Sequence, residues 1–125
     1  PQQLMGTEGA KMISLRNDEL RRQYLSREMV SKARGYMNDM MDRIGDEAVR
    51  AKFNSLSDEQ FWFIWAYTDF PEELSLKYLA MQLAQMVDAG EKKMSSGMVD
   101  AAMERGEQSL GRAMEYYEYA KTLDI

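Results

Sequence analysis

Apolar residues recur at helical spacing along most of the chain, and no stretch shows the alternating pattern of a β-strand. The first long amphipathic pattern begins near Asn17 or Asp18, either of which is a good N-cap, and runs to about Ile44. Gly35 lies inside this predicted helix, where we expect a close helix crossing. The apolar stripe of the helix consists of Leu20, Tyr24, Met29, Ala33, Met37, Met40, Met41 and Ile44.

Two short helices are predicted next from their capping residues. Gly45 followed by Asp46 indicates a helix end and a new N-cap, so a short helix is expected from Glu47 to about Phe53. Ser57 followed three residues later by Gln60 forms a capping box. The next helix is therefore expected to begin at Asp58.

This next helix is the most apolar stretch of the sequence. Residues 61–70 hold six of the thirteen aromatic residues and both tryptophans. On a helix these side chains point in several directions, so we expect the helix to be covered on almost every side. The cover has to come from the other helices of the chain or from a partner.

Two longer helices complete the prediction. Pro71 with the glutamates after it is typical of a first turn, and the helix is expected to reach Ala89. Glu91 to Gly97 is predicted to be a loop, and the last helix to run from about Met98 to Thr122. Its stripe contains small residues such as Gly106, which predicts close approach of a neighbouring backbone. The preceding helix has a wide predicted apolar face of Leu74, Leu76, Tyr78, Leu79, Met81, Leu83, Met86 and Val87.

The expected fold is therefore all-α: a compact bundle of four to five helices with a central aromatic-rich helix. Residues 1–11 contain two glutamines and two glycines without any apolar period, so we expect a flexible N-terminal arm. Residues 12–125 are expected to form a single helical domain. A chain of 125 residues is long enough to bury a stable core without disulfides or metals.

Composition narrows the functional classes. The sequence contains no cysteine and no histidine, which removes thiolate metal sites, the commonest metal ligand and the commonest general base. We expect no cofactor. The net charge of −5 disfavours direct binding to nucleic acid or to an anionic membrane. No apolar run is long enough to span a membrane, the first residues lack a signal-peptide pattern, and cysteine is absent, so we expect a cytoplasmic protein.

With these classes disfavoured, the function we expect is protein interaction or assembly through apolar helix faces. The partner is either another protein or a copy of the chain. Tryptophan is rarely buried completely and is enriched at binding hot spots, so Trp62 and Trp65 are candidate partner-binding residues. Tyr116 and Tyr119 join them, because the tyrosines near the end of the last helix cannot all face its core. Core packing of these aromatic side chains is the simpler interpretation.

Paired carboxylates provide an enzymatic alternative. Asp39 with Asp42, and Glu104 with Glu107, have the i, i+3 spacing that places two carboxylates on one helix face, where facing pairs hold Mg²⁺. This spacing resembles the acidic pairs of the all-α nucleoside triphosphate pyrophosphohydrolases, which implies metal-dependent phosphohydrolase activity. The family pattern of consecutive glutamates lining a helix is not matched, since Glu72-Glu73 opens one instead. Chance pairing on solvated faces also accounts for the spacing.

A further alternative is an acidic decoy that inhibits a nucleic-acid-binding protein. The acidic and tyrosine-rich segment of residues 115–119 favours it. The modest net charge and the basic residues between Arg16 and Arg34 are unfavourable for this role.

Overall fold

The computed structural model describes residues 27–91 and 93–125, and all the regular structure within them is helical. The predicted all-α bundle is therefore confirmed. The predicted arm of residues 1–11 and the predicted helix start at Asn17 or Asp18 lie outside the described residues. Five helices lie within these ranges: α1 (Arg27–Ile44), α2 (Glu47–Asn54), α3 (Asp58–Tyr67), α4 (Phe70–Asp88) and α5 (Ser96–Ala120).

The predicted capping residues set the ends of the short helices. Gly45 has a φ of 87°, in the left-handed region that favours glycine at a helix end, and the Asp46 side chain accepts a hydrogen bond from the Val49 N–H at 3.1 Å. Ser57 and Gln60 form both bonds of the capping box, so α3 begins at Asp58 as predicted. By contrast, α5 begins two residues earlier than predicted, because Ser95 caps it.

Three phenylalanines from successive helices form the centre of the core. Phe53 of α2, Phe61 of α3 and Phe70 of α4 are fully buried, and the rings of Phe53 and Phe70 stack with centroids 4.4 Å apart. Aromatic pairs in such geometries contribute about 0.5–1.5 kcal/mol beyond their buried area. The methionines Met37, Met40 and Met41 of α1 are buried as expected, whereas Met29 of the predicted stripe is exposed.

The aromatic helix α3 is fully buried on one face and half-buried on most of the others, so the predicted cover on almost every side is only partial. Phe61 and Ile64 are buried, and Ala66 is exposed. The remaining aromatic side chains of α3 are half-buried and pack around the core: Trp62, Phe63, Trp65 and Tyr67. The apolar side chains of this short helix are thus removed from water in part on several sides.

Arg34 joins α1 to the loop before α3. Its guanidinium donates to the carbonyl oxygen of Leu56 at 2.7 Å, pairs with Asp58 at 3.1 Å and lies over the ring of Phe61, 4.6 Å from its centroid. The sequence pattern placed Arg34 off the apolar stripe of α1. Its position shows that a half-buried arginine can satisfy exposed carbonyls at a helix end while covering an aromatic ring.

Helices α4 and α5 form the closest helix pair. A Cβ atom at Gly106 of α5 would lie 2.9 Å from the Cβ of Ala80 and 3.6 Å from the Cα of Lys77, both in α4. The predicted close approach at the small residues of α5 is therefore confirmed. The predicted crossing at Gly35 is wrong, because Gly35 is exposed and a Cβ there would meet nothing within 4 Å.

The orientation of α4 differs from the prediction. Leu76, Leu79 and Met86, all assigned to the buried face, are 43%, 56% and 41% exposed. Two charged residues, Glu73 and Lys77, are buried in their place, together with Phe70, Leu74 and Ala80. Apolar residues occupy both sides of α4, so hydrophobicity alone does not determine which side faces inward. In the described part of the chain, no helix has the length and apolar character required to cross a membrane.

Gly35 of α1 and Gly106 of α5 should respond oppositely to substitution by alanine. Gly35→Ala gains helix propensity without a clash and should raise the free energy of unfolding by about 0.5–1 kcal/mol. Gly106→Ala forces a methyl group against Ala80 and should lower the free energy of unfolding by about 1–3 kcal/mol. Urea unfolding of both variants measures these changes. Stabilisation by Gly106→Ala would contradict the close α4–α5 packing.

Candidate functional site

The structure brings the two candidate tryptophans together on one side of α3. Trp62 and Trp65 are half-buried and border an open groove against α1. The Trp65 ring meets the exposed Tyr36 edge-on, with centroids 5.7 Å apart. We call this region the tryptophan groove; its lining residues are Met29, Lys32, Ala33, Tyr36, Trp62 and Trp65.

The two candidate tyrosines have different surroundings. Tyr119 is 56% exposed, and its ring lies beside Phe63, with centroids 5.9 Å apart. Tyr116 is half-buried, and its hydroxyl lies 3.5 Å from Oε2 of Glu73, the outer limit for a hydrogen bond. These contacts do not join the tyrosines to the tryptophan groove, so the four predicted residues do not form one cluster.

The candidate carboxylates form ion pairs with basic side chains. Asp39 pairs with Arg43 at 3.5 Å, and Asp42 pairs with Arg50. Glu107 pairs with the buried ammonium group of Lys77. A cation binding at these carboxylates would have to displace these partners.

The two predicted carboxylate pairs also do not converge. Glu104 is exposed on α5, whereas Asp39 and Asp42 are exposed on α1. Across residues 27–91 and 93–125, no group of three or more Asp, Glu, His or Cys side chains is arranged to hold a metal ion. The described residues thus lack the converging acidic pairs on which the metal-dependent alternative depends.

A buried carboxylate between α4 and α5 was missed by the sequence pattern, which assigned Glu73 to the first turn as a complement to the helix dipole. Its side chain is only 6% exposed, and Oε2 accepts a hydrogen bond from Nε of Arg112 at 2.8 Å. Among the residues that the structure describes, Oε1 has no hydrogen-bond partner. The bond to Glu73 raises the pKa of the Arg112 guanidinium. Burial raises the pKa of Tyr116 above its ordinary value of 10, and the negative charges of Glu73 and Asp69 raise it further.

The exposed apolar side of α4 forms a second surface, which we call the outer face of α4. Leu76, Leu79 and Met86 are exposed there, and the other members are half-buried. Lys77 is the only charged residue between Leu74 and Val87, and it is buried. The outer face of α4 therefore presents no charge to the solvent. Its members are Ser75, Leu76, Leu79, Gln82, Leu83 and Met86.

Shared residues connect this face to the tryptophan groove. Leu76 and Tyr36 border one open groove, together with Pro71, Glu72 and Ser75. Leu76 also borders a second groove with Leu79, Ala80, Leu83, Ala102 and Arg105. Because Tyr36 also lines the tryptophan groove, the three grooves form a continuous, mainly apolar surface from α3 across α1 to α4 and α5. Sequence reasoning missed this surface because it assigned the leucines of α4 to the core.

Comparisons of the chain with protein-family models, with curated proteins and with solved structures gave no match.

Removing the Arg112 side chain should lower the free energy of unfolding more than removing the charge of Glu73 does. Arg112→Ala leaves a buried carboxylate without its partner and should lower the free energy of unfolding by about 2–4 kcal/mol. Glu73→Gln leaves a half-exposed guanidinium that water can solvate, and should cost about 1 kcal/mol. A double-mutant cycle by urea unfolding measures both effects, and adding Glu73→Gln should recover part of the Arg112→Ala loss. Equal losses of unfolding free energy in the two single variants would contradict this prediction.

The raised pKa of Tyr116 predicts that the protein loses stability in alkaline solution. Its folded-state pKa is raised, so the unfolded phenol loses its proton at a lower pH than the folded phenol does. The difference between the two pKa values contributes to the free energy of unfolding. This contribution is fully present below pH 10 and is lost as the pH rises through the folded-state pKa. The free energy of unfolding should fall less steeply above pH 10 in Tyr116→Phe than in the wild type. An identical pH dependence of the two proteins would contradict the burial of this hydroxyl.

Proposed function

We propose that the protein is a non-enzymatic protein-interaction or assembly module that acts through the outer face of α4. The observation that carries the proposal is the absence of exposed charge along nearly four turns of a partly exposed helix. Charged residues make up 30% of the chain, so an ordinary solvent-facing helix surface of this length would contain several. Interface cores are depleted in charged residues in the same way.

Burial of the exposed leucines by a partner would stabilise a complex. Leu79 is 56% exposed, so its methyl groups gain little from folding and would gain more from a partner that removes them from water. Contiguous exposed apolar residues with polar residues at their rim mark interaction sites in soluble proteins. Here the charged residues bordering the grooves are Lys32, Glu72 and Arg105.

The tryptophan groove extends this proposed interface. Trp62 and Trp65 offer large rings that are already held in place by the aromatic core, so a partner would lose little conformational entropy by ordering them. Tyr116 and Tyr119 stay candidate contacts on a separate region of α5. The lack of cysteine in the sequence fits a reducing compartment, and a cytoplasmic location is part of the proposal.

Two leucines of α4 provide a matched test. Leu74 is 1% exposed and Leu79 is 56% exposed. If the outer face serves a partner and not the fold, Leu79→Ala should change the free energy of unfolding by less than about 0.5 kcal/mol. Leu74→Ala should lower it by about 2–5 kcal/mol. Urea unfolding at high dilution, where the midpoint does not depend on protein concentration, measures both.

A loss of 2 kcal/mol or more in Leu79→Ala at high dilution would contradict the proposal. It would mean that the outer face contributes to the stability of the monomer, and its apolar character would then require no partner.

A further inference from the structure

Some methionines of the described residues are buried and others are open to the solvent. Met37 and Met41 are fully buried in the core, and Met40 is only 7% exposed. Met86 of α4 and Met98 of α5, by contrast, are 41% and 57% exposed. Because an oxidant reaches an exposed thioether directly and a buried one only when the core opens, the two groups should differ in their rates of oxidation.

The exposed methionines Met86 and Met98 lie at the same end of the α4–α5 pair. The two helices are consecutive and run antiparallel, with Ala80 of α4 against Gly106 of α5. Met86 and Met98 each lie about two turns from that contact, towards the loop that joins the helices. No described residue in the range 81–105 is buried. The core therefore does not depend on the chemical form of either methionine.

Oxidation would change the character of the outer face of α4, to which Met86 belongs. A methionine sulfoxide is polar and its oxygen accepts hydrogen bonds, whereas the thioether is apolar and flexible. Met86 lies one turn from Leu83 on the same side of the helix. A sulfoxide at Met86 thus places a polar group at one end of this apolar surface.

We propose that Met86 and Met98 form a reversible oxidation site, at which hydrogen peroxide produces the two sulfoxides while the bundle stays folded. In each reaction the sulfur lone pair forms a bond to one peroxide oxygen as the O–O bond breaks. The proton on the attacked oxygen passes to the departing oxygen, which leaves as water. The sulfur is oxidised by two electrons and the peroxide is reduced. Methionine sulfoxide reductases restore the thioether.

The oxidation site provides a means of regulating the outer face of α4. A partner that buries this face would have to remove the sulfoxide oxygen of Met86 from water, which is unfavourable without a new hydrogen bond. Oxidation should therefore weaken binding, and reduction should restore it. The regulatory consequence rests on the proposed function, whereas the oxidation site itself does not.

Mass spectrometry of the full chain after brief treatment with dilute hydrogen peroxide tests the site. Met86 and Met98 should gain oxygen faster than Met37 and Met41 by on the order of tenfold or more, because the buried sulfurs react only through opening of the core. In urea, where the chain is unfolded, all four should react at similar rates. The urea control shows that any difference in the native protein comes from the fold.

Hydrophobic interaction chromatography of the native protein tests the change of surface without requiring a partner. The oxidised wild type should elute earlier than the reduced wild type, and treatment with the reductases should reverse the shift. The double variant Met86→Leu/Met98→Leu keeps nearly the same apolar volume but has no sulfur at these positions, so peroxide should shift it less. Met29 is 47% exposed and is present in both proteins, so its oxidation contributes equally to both.

Three results would overturn the inference. The first is that Met37 and Met41 of the native protein oxidise as fast as Met86 and Met98. The second is an equal elution shift in the wild type and the double variant. The third is loss of the cooperative urea transition in protein oxidised only at the exposed methionines. A large loss of stability in Leu79→Ala at high dilution would instead remove the proposed function and leave the oxidation site in place.

Discussion

The close contact between α4 and α5 at Gly106 is the constraint on which the rest of the structure depends. Helix α4 is apolar on both sides, so hydrophobic burial does not determine its rotation about its own axis. The contact between Ala80 and Gly106 allows one particular side of α4 to approach α5. The ion pairs that Glu73 and Lys77 form with α5 reinforce the same rotation, because both charges would be costly to bury without partners.

The exposed apolar face is a consequence of this rotation. With Glu73 and Lys77 facing α5, Leu76 and Leu79 lie at the exposed edge of the α4–α5 contact, in the open groove that Ala102 and Arg105 of α5 also line. The bundle thus buries two charges and exposes two leucines, Leu76 and Leu79, an arrangement that is unfavourable for an isolated chain. Such an exchange is understandable if the leucines have a partner, which is the physical basis of the proposed interaction role.

The sequence predicted local features well because each depends on a few neighbouring residues. The capping box at Ser57 and the left-handed glycine at Gly45 are of this type, and so are the helical periods. The predicted burial of Leu76, Leu79 and Met86 on α4 was wrong, whereas that of Leu74 was right. Which side of α4 is buried depends on Gly106, which lies 26 residues after Ala80 in the sequence. The candidate residues Trp62 and Trp65 could be identified by composition alone, whereas their groove depends on the position of Tyr36 on another helix.

Native-state thiol reactivity at two leucines of α4 tests the account most directly, because the chain has no cysteine of its own. Leu79→Cys should react with a thiol reagent nearly as fast as an unfolded peptide at high dilution. Leu74→Cys should be protected at every concentration. Equal protection of both thiols at high dilution would show that α4 does not have the rotation described, and the account would be wrong.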